Sequence, residues 1–201
     1  MLLATVSSIR DELGFDDMAN INYAIIAALH AAEAQVGALL RTDFKRQSNT
    51  DLFRASAPGF VEGDYYETKF RLTQGQIQTV SSVLFSDSFD MSSPTSSTTH
   101  IVNADIGQVT VVGVAFNRQF VQITYTSGFE AAQSDPTSYK LSQVPNWLQE
   151  AAKLRALITL ASNPAVKDAN AGQDVTALQE QFDNLIAVHN RYTPSAILPI
   201  R

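Results

Sequence analysis

The stretch Ile123-Thr124-Tyr125-Thr126-Ser127-Gly128-Phe129 (ITYTSGF) decides how this chain divides. Its β-branched and aromatic residues read as a strand, and Ser127-Gly128 ends it. A polar loop runs on to about Gln143, and Val144-Pro145 then opens a helix. Proline suits a first helical turn, because its missing N–H would have had no partner there. Trp147, Leu148, Ala151, Leu154, Leu157, Leu160 and Ala161 give that helix a wide apolar face, ending near Asn163-Pro164. Residues before the junction therefore read as β structure and residues after it as helix.

Upstream, from about Gln47 to Thr126, the apolar pattern has a period of two. In YETKFRL, Tyr66, Thr68, Phe70 and Leu72 share one face, and Glu67, Lys69 and Arg71 share the other. That is a strand with one wet side. IQTVSSVLF reads as a second strand. QVTVVGVAF and FVQITYT flank Asn117-Arg118-Gln119 and read as a β-hairpin, with Gly113 marking a bulge. Residues 86–100, SDSFDMSSPTSSTTH, have little to bury and read as a mobile loop.

Helices occupy both flanks. Thr5 caps a short helix carrying Val6, Ile9 and Leu13, and Gly14 ends it. A long alanine-rich helix spans about Met18 to Thr42, with Ile21, Ile25, Ala28, Ala32, Val36 and Leu39 in one stripe. Asp174 caps a last helix bearing Val175, Leu178, Phe182, Leu185 and His189. Two prolines in TPSAILPIR prevent that helix from continuing.

Composition narrows the function classes. A chain of 201 residues buries roughly 70% of its unfolded surface and needs no staple. Fourteen basic against 20 acidic residues give a net charge of −6, which disfavours nucleic acid or an anionic membrane as principal partner. There are no cysteines, so disulfides, thiolate metal sites and cysteine nucleophiles are excluded, and a reducing cytoplasm is the simplest place of synthesis. The N-terminus lacks the pattern of a signal peptide. AIIAALHAA falls short of the ~20 apolar residues of a span, so a soluble protein is expected.

The usual catalytic signatures are missing: no P-loop, no GxGxxG, no GxSxG and no HExxH. His30 reads as a helix-interface residue, His100 as solvated, and His189 as a cation at a helix C-terminus. Glu62, Asp64 and Glu67 in VEGDYYE have oxygen ligands suited to Ca²⁺ or Mg²⁺, but without the regular ligand loop a solvated turn is the better reading. The Tyr/Phe-rich strands suit a stacking platform for nucleic acid or a glycan, and equally an ordinary half-wet sheet. The apolar tail Ala196, Ile197, Leu198, Pro199 and Ile200 either folds back on its own core or docks on another chain.

Three stretches together resemble the head–tail connector (adaptor, head-completion) proteins of tailed bacteriophages: INYAIIAALHAAEAQVGALL ending in RTDF, then VQITYTSGF, then VPNWLQEAAKLRALITL. The match covers residues 18–44 and 121–162 well and the β region and last helix in general character, while residues 86–100 have no obvious counterpart. The resemblance implies a structural, non-enzymatic virion protein of the neck, without cofactor or metal. It implies a ring, dodecameric in this family, joining the portal of the filled head to the tail and extending the DNA channel. DNA would pass without specific binding, the partners would be the portal and a downstream neck or tail protein, and no membrane is involved. The protein would sit in the virion and, during assembly, in the host cytoplasm. Alternatives are a head-closure or tail-completion protein or, further off, a metal-dependent hydrolase or a ligand-binding domain using Tyr65 and Tyr66.

The fold class expected is α+β, mainly α: a small helical bundle with an inserted antiparallel β region and an extended C-terminal tail. It would form a single connector domain with a helical core at 1–46 and 144–191, a β-rich insertion at 47–128 and a docking tail at 192–201. The tail residues expected to reach the portal or a neighbour are Pro194, Ala196, Ile197, Leu198, Pro199, Ile200 and Arg201. Tyr65, Tyr66, Phe85 and the aromatic of the Phe89-Asp90 pair are expected on the neck- or tail-facing side of the insertion.

Overall fold

A computed structural model describes residues 1–14, 19–54, 61–62, 65–97, 99–112, 120–133, 137–164, 166, 174–189 and 196–200. Its chain forms two compact units, one from Met1–Leu40 and Phe129–His189, the other from Arg41–Gly128 and the C-terminal residues.

The first unit is helical. It contains α1 (Val6–Leu13), α2 (Ala19–Leu40), α3 (Asn146–Ala161) and α4 (Val175–His189). The Thr5 hydroxyl accepts from the Ser8 N–H at 3.1 Å, and Gly14 closes α1 in the left-handed region at φ 68°. Asp174 accepts from the N–H groups of Thr176 and Ala177 at 2.9 and 3.2 Å and starts α4. Pro145 precedes α3, and its carbonyl accepts from Leu148 and Gln149. The α3 helix packs against both α2 and α4, which accounts for its many buried residues, Leu148, Ala151, Leu154, Leu157 and Leu160 among them. On α2, Ile21, Ile25, Ala28, Ala32 and Val36 are buried as expected. Leu39 is 49% exposed and Leu40 takes its place, because the next step of four from Val36 lands on 40.

The second unit overturns the expected fold class. A small helical bundle would leave the β region as an appendage. Instead, the described residues hold eight strands in two four-stranded antiparallel sheets, so the chain is mixed α/β. The strands are β1 (Gln47–Arg54), β2 (Val61–Glu62), β3 (Tyr65–Arg71), β4 (Ile77–Ser86), β5 (Thr95–Ser97), β6 (His100–Asn103), β7 (Gln108–Val112) and β8 (Phe120–Ser127). One sheet has the order β1-β8-β4-β5 and the other β2-β3-β7-β6. Both supply one core, with Phe53, Val83, Phe85, Val121, Ile123 and Tyr125 from the first and Phe70, Val109 and Val111 from the second. This region has its own hydrophobic interior.

Two further expectations are corrected here. The strands β7 and β8 do not form a hairpin: β7 pairs with β3 and β6, while β8 pairs with β1 and β4. Gly113 and the Asn117–Gln119 turn lie outside the described residues. The segment 86–100 is largely ordered rather than a mobile loop: it folds back from β4 so that Thr95–Ser97 pair with Val83–Phe85.

Gly128 answers why a glycine closes the Tyr125 strand. Its φ is 77°, and a Cβ there would lie 2.5 Å from the Lys45 carbonyl oxygen. Only a residue without a side chain permits that backbone approach.

Candidate assembly surfaces

The C-terminal residues complete the β unit. Ile197 donates its N–H to the Lys69 carbonyl at 2.8 Å and accepts from the Arg71 N–H at 2.9 Å. Ile200 donates to the Leu52 carbonyl at 2.7 Å. The segment thus runs parallel to β3 at Phe70 and antiparallel to β1 at Phe53, joining the edge of one sheet to the other. Ile197 packs against the core, whereas Leu198 and Ile200 alternate outward and are 63% and 40% exposed. Of the predicted tail residues, Ala196 and Pro199 are half-buried within this segment, and Pro194 and Arg201 lie outside the described residues.

Beneath that seam sits a polar node. Tyr125 donates to Asp51 at 3.0 Å, Asp51 also accepts from the Thr73 N–H at 2.6 Å and hydroxyl at 2.8 Å, and the Gln74 N–H reaches the Tyr125 oxygen at 3.1 Å. Burial and the Asp51 charge push the Tyr125 hydroxyl far above its usual range. This node fixes the 72–76 turn against β1 and β8, and the sequence pattern offered no signal for it beyond the odd placement of an acid on the inward face of β1.

The predicted insertion-face aromatics separate. Phe85 is 3% exposed and belongs to the core. Tyr65 and Tyr66 open β3, and their side chains lie outside the described residues. Phe89 is 62% exposed at the β4–β5 turn and meets Phe120 edge to face at 5.7 Å. That turn is firmly built: Asp90 accepts from the Ser88 hydroxyl at 2.6 Å and the Ser92 N–H at 3.1 Å, and the Ser86 hydroxyl donates to the Ser92 carbonyl at 3.0 Å. These bonds hold the Asp90 carboxyl below its ordinary pKa, the Ser88 hydroxyl contributing most. Met91 and Ser93 both take left-handed backbone angles, with φ 55° and 53°.

In the helical unit, Arg155 binds Gln35 of α2 and Gln179 of α4 and lies 5.8 Å over the Phe182 ring. Lys153 pairs with Glu12 at 2.9 Å and with Glu150 at 3.8 Å; the hydrogen bond to Glu12 is the main cause of its raised pKa. Glu33 accepts from the Tyr139 hydroxyl at 2.8 Å. It is the sole acidic or basic residue of α2, apart from His30. The outward side of that helix carries Tyr23 at 79% exposure. By length and composition alone Ile21–Leu40 passes for a membrane span, as core helices of soluble proteins also do, and a third of it is buried inside the fold.

The histidines stay apart. His30 is half exposed beside Glu33 rather than set in a helix interface. His100 is partly buried, and its Nδ1 is shielded from solvent. His189 stacks on Trp147 with centroids 4.1 Å apart and planes 3° from parallel. Among the described residues no three His, Asp or Glu side chains gather into a group able to hold a metal. The Glu62 side chain and Asp64 lie outside the described residues. An open groove of about 290 Å³ at the starts of α1 and α3, lined by Thr5, Ser8, Asn146, Gln149, Glu150 and Lys153, has its cation already paired.

No protein-family model matches the chain, and no curated protein does. Among solved structures, it is similar to a chain in the neck of an empty GTA particle computed with C6 symmetry. That likeness has 17% identity and a TM-score of 0.41, over 90% of this chain and 89% of the other. A second similar chain is in the virion of a native gene transfer agent (GTA) particle, at 19% identity and a TM-score of 0.44, over the same shares. The structural neighbours of this protein thus include parts of a neck and a virion. At these values the likeness concerns the course of the chain, and no functional argument rests on it.

Proposed function

We propose that this protein is a structural subunit of a phage-type neck, assembling into a ring that connects the portal of the filled head to the tail. The observation that carries this reading is the set of large apolar side chains held outward on ordered elements of both units: Tyr23 on α2, Phe89 on the β4–β5 turn, Ile101 on β6 and Leu198 in the C-terminal segment. Contiguous apolar patches mark surfaces that other protein covers, and in this reading each of these groups lies within such a surface. The three sequence stretches resembling connector proteins supply the kind of assembly. In this reading the inward Ile197 and Pro199 hold the C-terminal segment in place, while Leu198 and Ile200 face the portal or a neighbouring copy. A closed ring needs two different patches on each subunit.

Purified protein, alone and with portal particles, should give rings or portal-capping densities in negative-stain micrographs. A species that stays monomeric and leaves portals uncapped across salt and protein concentration would overturn the reading.

A further inference from the structure

The acidic surplus of this chain is not spread evenly. Arg41, Lys45 and Arg46 fall within one short segment and are all exposed, with Asp43 as the one carboxylate among them. Thr42 and Phe44 alternate with them and are buried. The Thr42 hydroxyl donates to the Gly75 carbonyl at 3.4 Å, the Asp43 N–H to Gln74 Oε1 at 2.7 Å and the Lys45 N–H to Asp43 Oδ1 at 3.0 Å. The cations therefore stand on a fixed backbone, which lowers the ordering cost of binding, and the lone carboxylate is engaged by that backbone.

Strand β1 begins directly after Arg46. Its outward residues Ser48 and Thr50 are in register with Thr126 and Thr124 of β8, and the Thr50 and Thr124 hydroxyl oxygens are 3.3 Å apart. Hydroxyl donors thus continue the row that the cations start. None of the described outward residues of β1, β8 and β4 is acidic. The far end of this face differs: Leu52, Phe120 and Leu84 make it apolar, and Asp87 and Asp90 follow β4, so the cationic feature is confined to the Arg46 end. Guanidinium, ammonium and hydroxyl donors clear of carboxylates are the groups that hold nucleic-acid phosphates. Among the described residues this end displays no exposed aromatic side chain on which an unpaired base could stack, so it suits the denser charge of a duplex backbone.

We propose that residues 41–50, with Thr124 and Thr126, form a sequence-independent contact site for the phosphate backbone of double-stranded DNA. Arg41, Lys45 and Arg46 pair with phosphates, and the Ser48 and Thr50 hydroxyls donate to neighbouring phosphate oxygens. The net charge of −6 opposes DNA at long range, so the contact acts at short range and salt releases it readily. The site goes beyond the ring reading and needs a single copy of the chain.

Fluorescence anisotropy of a labelled duplex of about 20 base pairs, titrated with the full chain, tests this. Three neutralised phosphates predict an affinity that falls roughly two- to three-hundredfold between 25 and 200 mM salt. Lys45→Gln/Arg46→Gln should weaken binding at 25 mM salt at least tenfold and reduce that fall to under about tenfold. Thr50→Glu, which sets a carboxylate in the hydroxyl row, should weaken binding at least fivefold. Lys69→Gln/Lys140→Gln removes the same charge elsewhere and should change binding less than threefold, with circular dichroism showing that every variant keeps its fold. Wild type without saturable binding at 25 mM salt, or an equal loss in the two double variants, would overturn the site. Neither result bears on ring formation, which micrographs read separately.

Discussion

Tyr125 gives its hydroxyl hydrogen to Asp51 across 3.0 Å, inside a sheet that contributes to a shared hydrophobic core. Asp51 pairs in register with Ile123, two residues before that tyrosine, so the node links neighbouring strands to the 72–76 turn. Tyr125→Phe should cost about 1.5–3 kcal/mol, the range for a bond to a charged acceptor. The sign with pH also follows. The raised pKa means that the neutral hydroxyl favours the folded state. Its contribution is complete below the ordinary tyrosine value of about 10 and falls as pH climbs beyond it. Chemical denaturation between pH 8 and 11 should show a slope above pH 10 that flattens in Tyr125→Phe.

Gly128→Ala should destabilise the β unit by at least about 2 kcal/mol, since it combines a left-handed backbone with a Cβ placed 2.5 Å from a carbonyl oxygen. Urea denaturation would measure it. A loss under 0.5 kcal/mol would mean that the Phe44–Lys45 backbone yields freely.

Ile197→Asp should lower stability by roughly 2–4 kcal/mol, because a charge would replace an apolar side chain packed on the core. Leu198→Asp, one residue on but facing outward, should change it by less than about 0.5 kcal/mol. Equal effects in thermal melts would mean that the alternation along the segment has been misassigned.

His189→Ala removes the ring stacked on Trp147, the chain's single tryptophan. The loss should be about 0.5–1.5 kcal/mol, with a changed indole emission that reports it directly. Unaltered emission would show that the two rings do not stay together in solution.

Much of the helical unit was legible because its signals are local. Thr5, Gly14 and Asp174 act at the ends where capping chemistry puts them, and the Ile21-to-Val36 stripe needs only a 3.6 period. Strand β3 was equally plain from its alternation. Pairing was not. Val109 and Val111 alternate in the same way whether β7 lies beside β8 or across the core from it, so YETKFRL and FVQITYT could be recognised as strands without revealing their neighbours. The strands β5 and β6 are three and four residues long in a Ser/Thr-rich segment, too short for periodicity to register. The Leu198 surface was half visible, as an apolar tail, but the strands it lies against, β1 and β3, are more than a hundred residues away in sequence.

That separation also bears on how the molecule is made. The backbone bridge between Phe70 and Ile197 closes a stretch of sequence that contains both α3 and α4. The two sheets therefore cannot be sewn together on the emerging chain until α3 and α4 have left the ribosome. Closure over so long a span is slow, and until it happens Phe53 and Phe70 lack part of their cover, a period in which chaperones would find their target.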